Sequence, residues 1–377
     1  MCATQTRTPH LACYSYHTLK NEYKFICGYP SDVKLCGYCV VKLADNSNQD
    51  KNQITLLSFG GKNNHTLVMK YVSVWSNDMN KSKELNKLNK PNNYNQWVPF
   101  TDNHNHPVII GRDENHNYKG VRAVIGGINN HLLFITYFPK NISVFDLNTF
   151  QFIKHDTLPT NDVISYHCFI SKLEGQEMMK TNQQNQQNYQ MLLFCWKTGL
   201  SIEYDEDNNT FQFRQLPICD DIAPFHKYAY VCINDIILFF GGYGNGISKS
   251  VHKYSIRENK WMTFQNTLPG RLKDCVAILS ENNTYVHIIG GCNVKYKIKS
   301  KHMKTELRKW LSEEEMKKVI ELKVEENSEE DEEEEDSEED EEEEDSEEDE
   351  EEDSDEDEED SEKDEEEKDS DSETNKI

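Results

Sequence analysis

The stretch Tyr228–Pro269, with the body AYVCINDIILFFGGYGNGISKSVHKYSIRENKWMTFQNTLP, reads as four short strands. Val231–Ile233 and Ile236–Phe240 are apolar runs separated by Asn234-Asp235, a hairpin-type turn. Gly241-Gly242 lets the chain leave the second run through a conformation that residues with a Cβ avoid. Val251–Ile256 alternates, Arg257–Lys260 is a polar turn, and a fourth strand follows over Trp261–Phe264. Tyr254 and Trp261 stand seven residues apart, one on each of the last two strands. Four antiparallel strands in about 45 residues, punctuated in this way, make one blade of a radial all-β array.

The pattern recurs. Aromatic residues seven apart appear as Tyr16/Tyr23, Phe145/Phe152, Tyr204/Phe211 and Tyr254/Trp261, and the last copy has Met303/Trp310. In the second copy the pair reads as Trp75 and Trp97, separated by an Asn/Lys-rich insertion. Gly-Gly closes the second strand at Gly60-Gly61, Gly241-Gly242 and Gly290-Gly291, and Thr136-Tyr137 and Trp196-Lys197 take that place in two degenerate copies. Units end alike, in HDTLP (155–159), RQLP (214–217) and QNTLP (265–269). Fixed spacing with shared endings is the signature of a repeat architecture, not of unrelated strand pairs in a sandwich.

A hydrophobic run, Gly-Gly, then Tyr, six residues and Trp resembles the kelch motif, over about four-fifths of the chain. The resemblance implies an all-β kelch-type propeller whose inter-blade loops bind protein partners. Residues 13–30 match only the last two strands of a unit, and five fuller units follow up to about residue 311. The count predicts six blades, the N-terminal one incomplete. Five blades, with the N-terminal hairpin supplying a closing strand, is the alternative. A capping box at Ser312 and Glu315 predicts a short helix over 312–324.

Composition changes near residue 324. From Glu325 to Ile377 there are 39 Asp and Glu against three Lys, a net charge of −36; the whole chain carries −27, which leaves +9 on residues 1–324. Such a like-charged run cannot bury a core and predicts a disordered acidic tail. Ser328, Ser337, Ser346, Ser354, Ser361 and Ser370 each have an acid three residues on, a pattern that resembles acidophilic-kinase acceptors. The tail is expected to recruit basic proteins such as histones, or only to solubilise, and nucleic acid is not expected as a partner because the segment repels phosphate.

No run reaches the length of a membrane span, and the N-terminal MCATQTRTPHLACYSY has no apolar signal core. Eleven Cys, an odd number scattered through strand-like segments, fit reduced buried thiols in an intracellular protein, cytoplasmic rather than nuclear. Cys36-Gly-Tyr-Cys39 has no second C-x-x-C to complete a zinc site. His104 and His106, with His116, lie in an Asn-rich loop where the sequence shows no carboxylate or Cys to complete a metal set. Some kelch-like propellers are copper-radical oxidases, but no paired His sits at matching loops here. The expectation is therefore no enzyme, cofactor, metal or catalytic residue; the functional alternatives are an acidic-tail chaperone and such an oxidase.

Overall fold

The computed structural model describes residues 12–44, 53–75, 94–111, 117–172, 188–292 and 302–321. The two long insertions, the loop holding His116 and the acidic segment with its six serines lie almost wholly outside these residues. The strands belong to the first of two units into which the chain divides, which ends at Ile320.

The opening stretch folds as read. Strands β15 (Ala229–Ile233), β16 (Ile236–Phe240), β19 (Val251–Ser255) and β20 (Lys260–Thr263) form one antiparallel sheet in that order; the short pair β17 (Tyr243–Gly244) and β18 (Gly246–Ile247) sits in its central loop. Three other four-stranded sheets repeat the plan. They are β3 (Tyr38–Leu43), β4 (Gln53–Gly60), β5 (His65–Val72) and β6 (Val98–Pro99); β7 (Asn117–Gly126), β8 (Leu132–Phe138), β9 (Asn141–Asp146) and β10 (Gln151–Thr157); and β11 (Cys168–Ser171), β12 (Asn188–Cys195), β13 (Thr198–Asp205) and β14 (Thr210–Gln215). A fifth sheet has three strands, β21 (Lys273–Leu279), β22 (Tyr285–Cys292) and β23 (His302–Glu306). The arrangement is a β-propeller of five blades, numbered here in chain order.

The spacing of seven has a simple cause. Tyr16 faces Tyr23, Phe145 faces Phe152, Tyr204 faces Phe211 and Tyr254 faces Trp261 as direct cross-strand partners, with ring centroids 4.7, 5.1, 4.8 and 4.9 Å apart. Such pairs add stability beyond their buried area. Two readings of the pattern need correction. Trp75 and Trp97 do not pair: the Trp75 indole donates to Ser15 Oγ at 2.8 Å, while Trp97 stacks on Tyr29 at 4.8 Å. Trp310 lies on no strand. It follows the 3₁₀ turn Leu307–Lys309 and seals the fifth blade against Phe240 and Phe264 of the fourth.

The ring has five blades, not six. The N-terminal strands β1 (Ala12–His17) and β2 (Glu22–Gly28) pair only with each other, so they neither complete a sixth blade nor add a strand to the fifth. Strand alternation sends β1 side chains both ways. Cys13 and Ser15 turn to the first blade, where Trp97 Nε1 donates to Cys13 Sγ at 3.1 Å and the Tyr71 hydroxyl to Ser15 Oγ at 3.1 Å. Tyr16 turns to the fifth, its ring 4.4 Å from that of His302. The hairpin is a wedge between the last blade and the first.

The capped helix forms over residues 313–321. The Ser312 amide donates to Glu315 Oε2 at 2.7 Å and the Glu315 amide to Ser312 Oγ at 3.2 Å. Buried Val319 and partly buried Met316 join the core shared by the fourth and fifth blades, so the helix is part of the propeller body rather than a separate segment.

Candidate functional site at the inner rim

Each blade begins with its innermost strand, and β3 lies beside β7, β7 beside β11, and β15 beside β21. One repeat position, at or near the start of each innermost strand, is held by Gly37, Gly120, Tyr166, Lys227 and Asp274. All five have positive φ, at 72°, 83°, 52°, 58° and 56°. A chain of backbone hydrogen bonds links them from blade to blade. The Gly120 amide donates to Gly37 O (2.7 Å), Tyr166 to Gly120 O (2.8 Å), Lys227 to Tyr166 O (3.1 Å) and Asp274 to Lys227 O (2.9 Å). Among the described residues no such bond joins Asp274 back to Gly37, which is where the hairpin wedge stands.

Three of the five are not glycine, and a left-handed conformation in them is strained, a condition that concentrates at functional sites. The strain brings charged and aromatic side chains together. Lys227 Nζ stands 4.1 Å from the centre of the Tyr166 ring and 3.4 Å from Asp274 Oδ1, and Lys273 Nζ stands 3.8 Å from Asp274 Oδ2. The Arg122 guanidinium lies 5.9 Å from the same tyrosine ring. Lys273 also lies over the Tyr243 ring at 4.5 Å. Gly37 has no freedom to grow: a Cβ there would meet the Gly120 amide nitrogen at 2.5 Å and the Tyr166 hydroxyl at 2.6 Å.

Tyr166 is the centre of the cluster. Burial pushes its hydroxyl pKa well up, and the Cys36 thiol, hydrogen-bonded to it, and the Asp274 carboxylate push the same way against Arg122. The phenol therefore stays a neutral donor. Beside it, His226 stacks on Trp196 with centroids 4.1 Å apart and bonds Tyr243 O through Nδ1 at 2.8 Å. Burial lowers the His226 pKa to about 4, the Tyr243 carbonyl opposing, so this imidazole is neutral near pH 7. The rim offers cations and aromatic faces in partly exposed positions, a surface suited to holding a ligand.

The glycine pairs do not form this site; they support it. Gly60, Gly61, Gly241, Gly242, Gly290 and Gly291 all have positive φ. The second glycine reaches the connector of the next blade: the Gly61 amide donates to Tyr118 O at 3.1 Å and the Gly242 amide to Leu272 O at 2.9 Å. In the third blade the Trp196 amide makes the matching bond to Phe225 O at 3.3 Å. The degenerate pair there is Cys195-Trp196, one residue earlier than the Trp196-Lys197 position that the repeat pattern suggested. The rim residues had one signal in the sequence, since YHCFI and DCVAIL start at Tyr166 and Asp274. Nothing in the sequence marks those first residues as left-handed.

The described residues also change the reading of the His loop. Asp102, absent from the set considered for His104 and His106, stands with both of them, one ligand atom of each lying within 4.8 Å of the others. Cys36 and Cys39, by contrast, are free thiols, exposed and buried respectively, and join no such group among the described residues.

The class that this fold defines is the β-propeller. No protein-family profile matches the sequence, and no curated protein does. Among solved structures the chain is similar to one titled "Structure of YjhT", with a TM-score of 0.47 and 13% identity, covering 80% of this chain and 89% of that one. Among the described residues no helix is long and apolar enough to cross a membrane.

Proposed function

We propose that the protein is a non-enzymatic interaction scaffold of kelch type, which holds protein partners at the inner rim and recruits basic partners through residues 325–377. One observation carries this reading. The repeat position that opens each blade delivers Tyr166, Lys227 and Asp274 from three separate blades to one hydrogen-bonded rim. A rigid ring with side chains supplied by several loops is how repeat folds build binding surfaces. The acidic segment, at net −36, supplies the complementary charge for basic proteins, with an attraction that salt screens.

Capture from lysate separates the two parts. The full chain is compared with a chain ending at Glu321, which keeps the Val319 contact with the core, and with full-length Lys227→Ala. Partners that survive truncation but are lost from Lys227→Ala support rim binding. Partners that all vanish with residues 322–377 would leave the rim without a role and move the function to the acidic segment. Turnover of a substrate at the rim by the purified chain would overturn the non-enzymatic reading.

A further inference from the structure

The loop between β6 and β7 carries three metal-type donors in seven residues, TDNHNHP (101–107). Its neck is closed by the Thr101–Pro107 bridge and by the Val108 amide donating to Phe100 O at 2.8 Å. Phe100 and Ile110 are buried on either side, and the Ile110 amide donates to Thr66 Oγ1 at 2.9 Å, which ties the base to the first blade. The tip is equally fixed. The Asp102 amide donates to His106 O at 2.9 Å and the Asn105 amide to Asp102 O at 3.0 Å, with Asn105 left-handed at φ 63°.

The Asp102 carboxylate is divided between two tasks. Oδ1 accepts the His104 and His106 amides, both at 2.8 Å, which sets the carboxylate plane. Oδ2 is turned to the other side, 3.2 Å from His106 Nδ1. The two imidazoles have ring centroids 6.0 Å apart and planes within 22°. A turn-capping aspartate explains the Oδ1 bonds. It does not explain two near-parallel imidazoles whose ligand atoms lie within 4.8 Å of the carboxylate and of each other. Among the described residues Asp102 has no Lys or Arg partner, its one ion pair being with His106 itself.

From this geometry we propose that Asp102, His104 and His106 form a site for a late first-row divalent cation such as Zn²⁺ or Cu²⁺. Two imidazoles and one carboxylate are a borderline donor set that suits these ions and not Ca²⁺ or Mg²⁺. Bonds of about 2.1 Å in a tetrahedral site place donor atoms roughly 3.4 Å apart, so modest rotations of the exposed His104 and His106 rings close the present 4.8 Å spread. The carboxylate already orients through its second oxygen, as oriented ligands in metal sites do. The remaining coordination positions face solvent and are open to water or to a donor from a bound protein.

Cu²⁺ is the probe, because its EPR spectrum reports nitrogen ligands and so distinguishes this loop from the carboxylates of residues 325–377. Full-length protein with half an equivalent of Cu²⁺ is expected to show coupling to two imidazole nitrogens, with Zn²⁺ competing for the ion. The double variant His104→Gln/His106→Gln should lose the coupling, and His116→Gln should keep it. Asp102→Asn retains an oxygen for the two backbone amides and removes only the charge; it should weaken Cu²⁺ at least ten-fold with the loop intact. An unchanged spectrum in the double variant, or oxygen-only coordination in the wild type, overturns the proposal. Melting curves of the variants that match the wild type establish that the loss is not unfolding.

Discussion

Repeat positions that look decorative in the sequence form pairs in space. The Tyr16, Tyr204 and Tyr254 hydroxyls donate to Asn21, Asn209 and Asn259 Oδ1, five residues on, at 2.8, 2.5 and 3.0 Å. Each Asn is the left-handed residue of the turn, with φ between 51° and 54°. Asn tolerates that conformation better than most residues and offers the acceptor. In the second blade both halves are gone together: Phe145 has no hydroxyl, and Phe150 takes the left-handed position at φ 58°. Tyr254→Phe should cost about 1 kcal/mol, the net worth of one hydrogen bond. Asn259→Gly keeps the turn and should cost a similar amount, whereas Asn259→Ala adds backbone strain and should cost about 2 kcal/mol or more. Combining Tyr254→Phe with Asn259→Gly should add little to either alone, because both remove the same bond. Denaturant midpoints measure all four, and full additivity would show the bond to be worth nothing.

Gly241 makes the same kind of argument through space. A Cβ at Gly241, where φ is +69°, would meet Leu272 O at 2.5 Å, and a backbone atom cannot swing aside. Gly246 also has positive φ, at 130°, but a Cβ there meets nothing within 4 Å. Gly241→Ala should therefore destabilise by clearly more than Gly246→Ala, by at least about 1–3 kcal/mol. Equal losses in the two would mean that φ alone matters and that the close approach to the neighbouring connector does not.

At the scale of elements, the strand hairpins were legible because one polar turn fixes their register, and a spacing of seven survives any insertion elsewhere. The end of the fifth blade was not legible. KHMKTELRKW carries Trp310 at the repeat spacing, yet a 3₁₀ turn replaces the fourth strand and puts the indole onto the fourth blade. The helix start was readable from Ser312 and Glu315, but not its anchor. Glu315 reaches Lys253 Nζ with both carboxylate oxygens, at 2.7 and 2.9 Å. Ser312→Ala should cost the helix about 1 kcal/mol, the usual worth of an N-cap. Lys253→Met should loosen the docking while leaving the cap intact. Hydrogen exchange at the Lys318–Ile320 amides is expected to speed up in both variants, with β15 and β16 amides unchanged. Acceleration throughout the fourth blade would show instead that the helix opens only together with that blade.

At the scale of the molecule, the count of blades turned on side chains with no repeat signature. Ser15 and Tyr16 look alike in any strand, yet they seal the hairpin to two different blades. That seam contains an acid-sensitive contact. His287 is 1% exposed, and its Nδ1 lies 2.8 Å from His302 Nε2 and 3.3 Å from the Tyr16 hydroxyl. Tyr23 faces the pair from β2, with its ring 6.0 Å from that of His302, and Lys304 adds positive charge from β23. One imidazole must donate and the other accept, so the contact holds only while at least one is neutral. Burial, then His302 and Lys304, lower the His287 pKa to about 4, and burial with Lys304 lowers that of His302. An unfolded histidine titrates near 6.5. Between about 6.5 and 4 the unfolded chain binds protons that the native seam refuses, so stability is fully present above 6.5 and falls as the pH drops through that window. Thermal melts should show Tm declining by several degrees from pH 7 to pH 5. His65 and His252, also held near 4 by burial, contribute to that decline from other blades, so the seam is read from a difference. Full-length His287→Gln should melt lower at pH 7 and lose less on acidification, narrowing its gap to the wild type by pH 5. Curves that fall in parallel would place the acid sensitivity elsewhere and leave the hairpin a passive wedge.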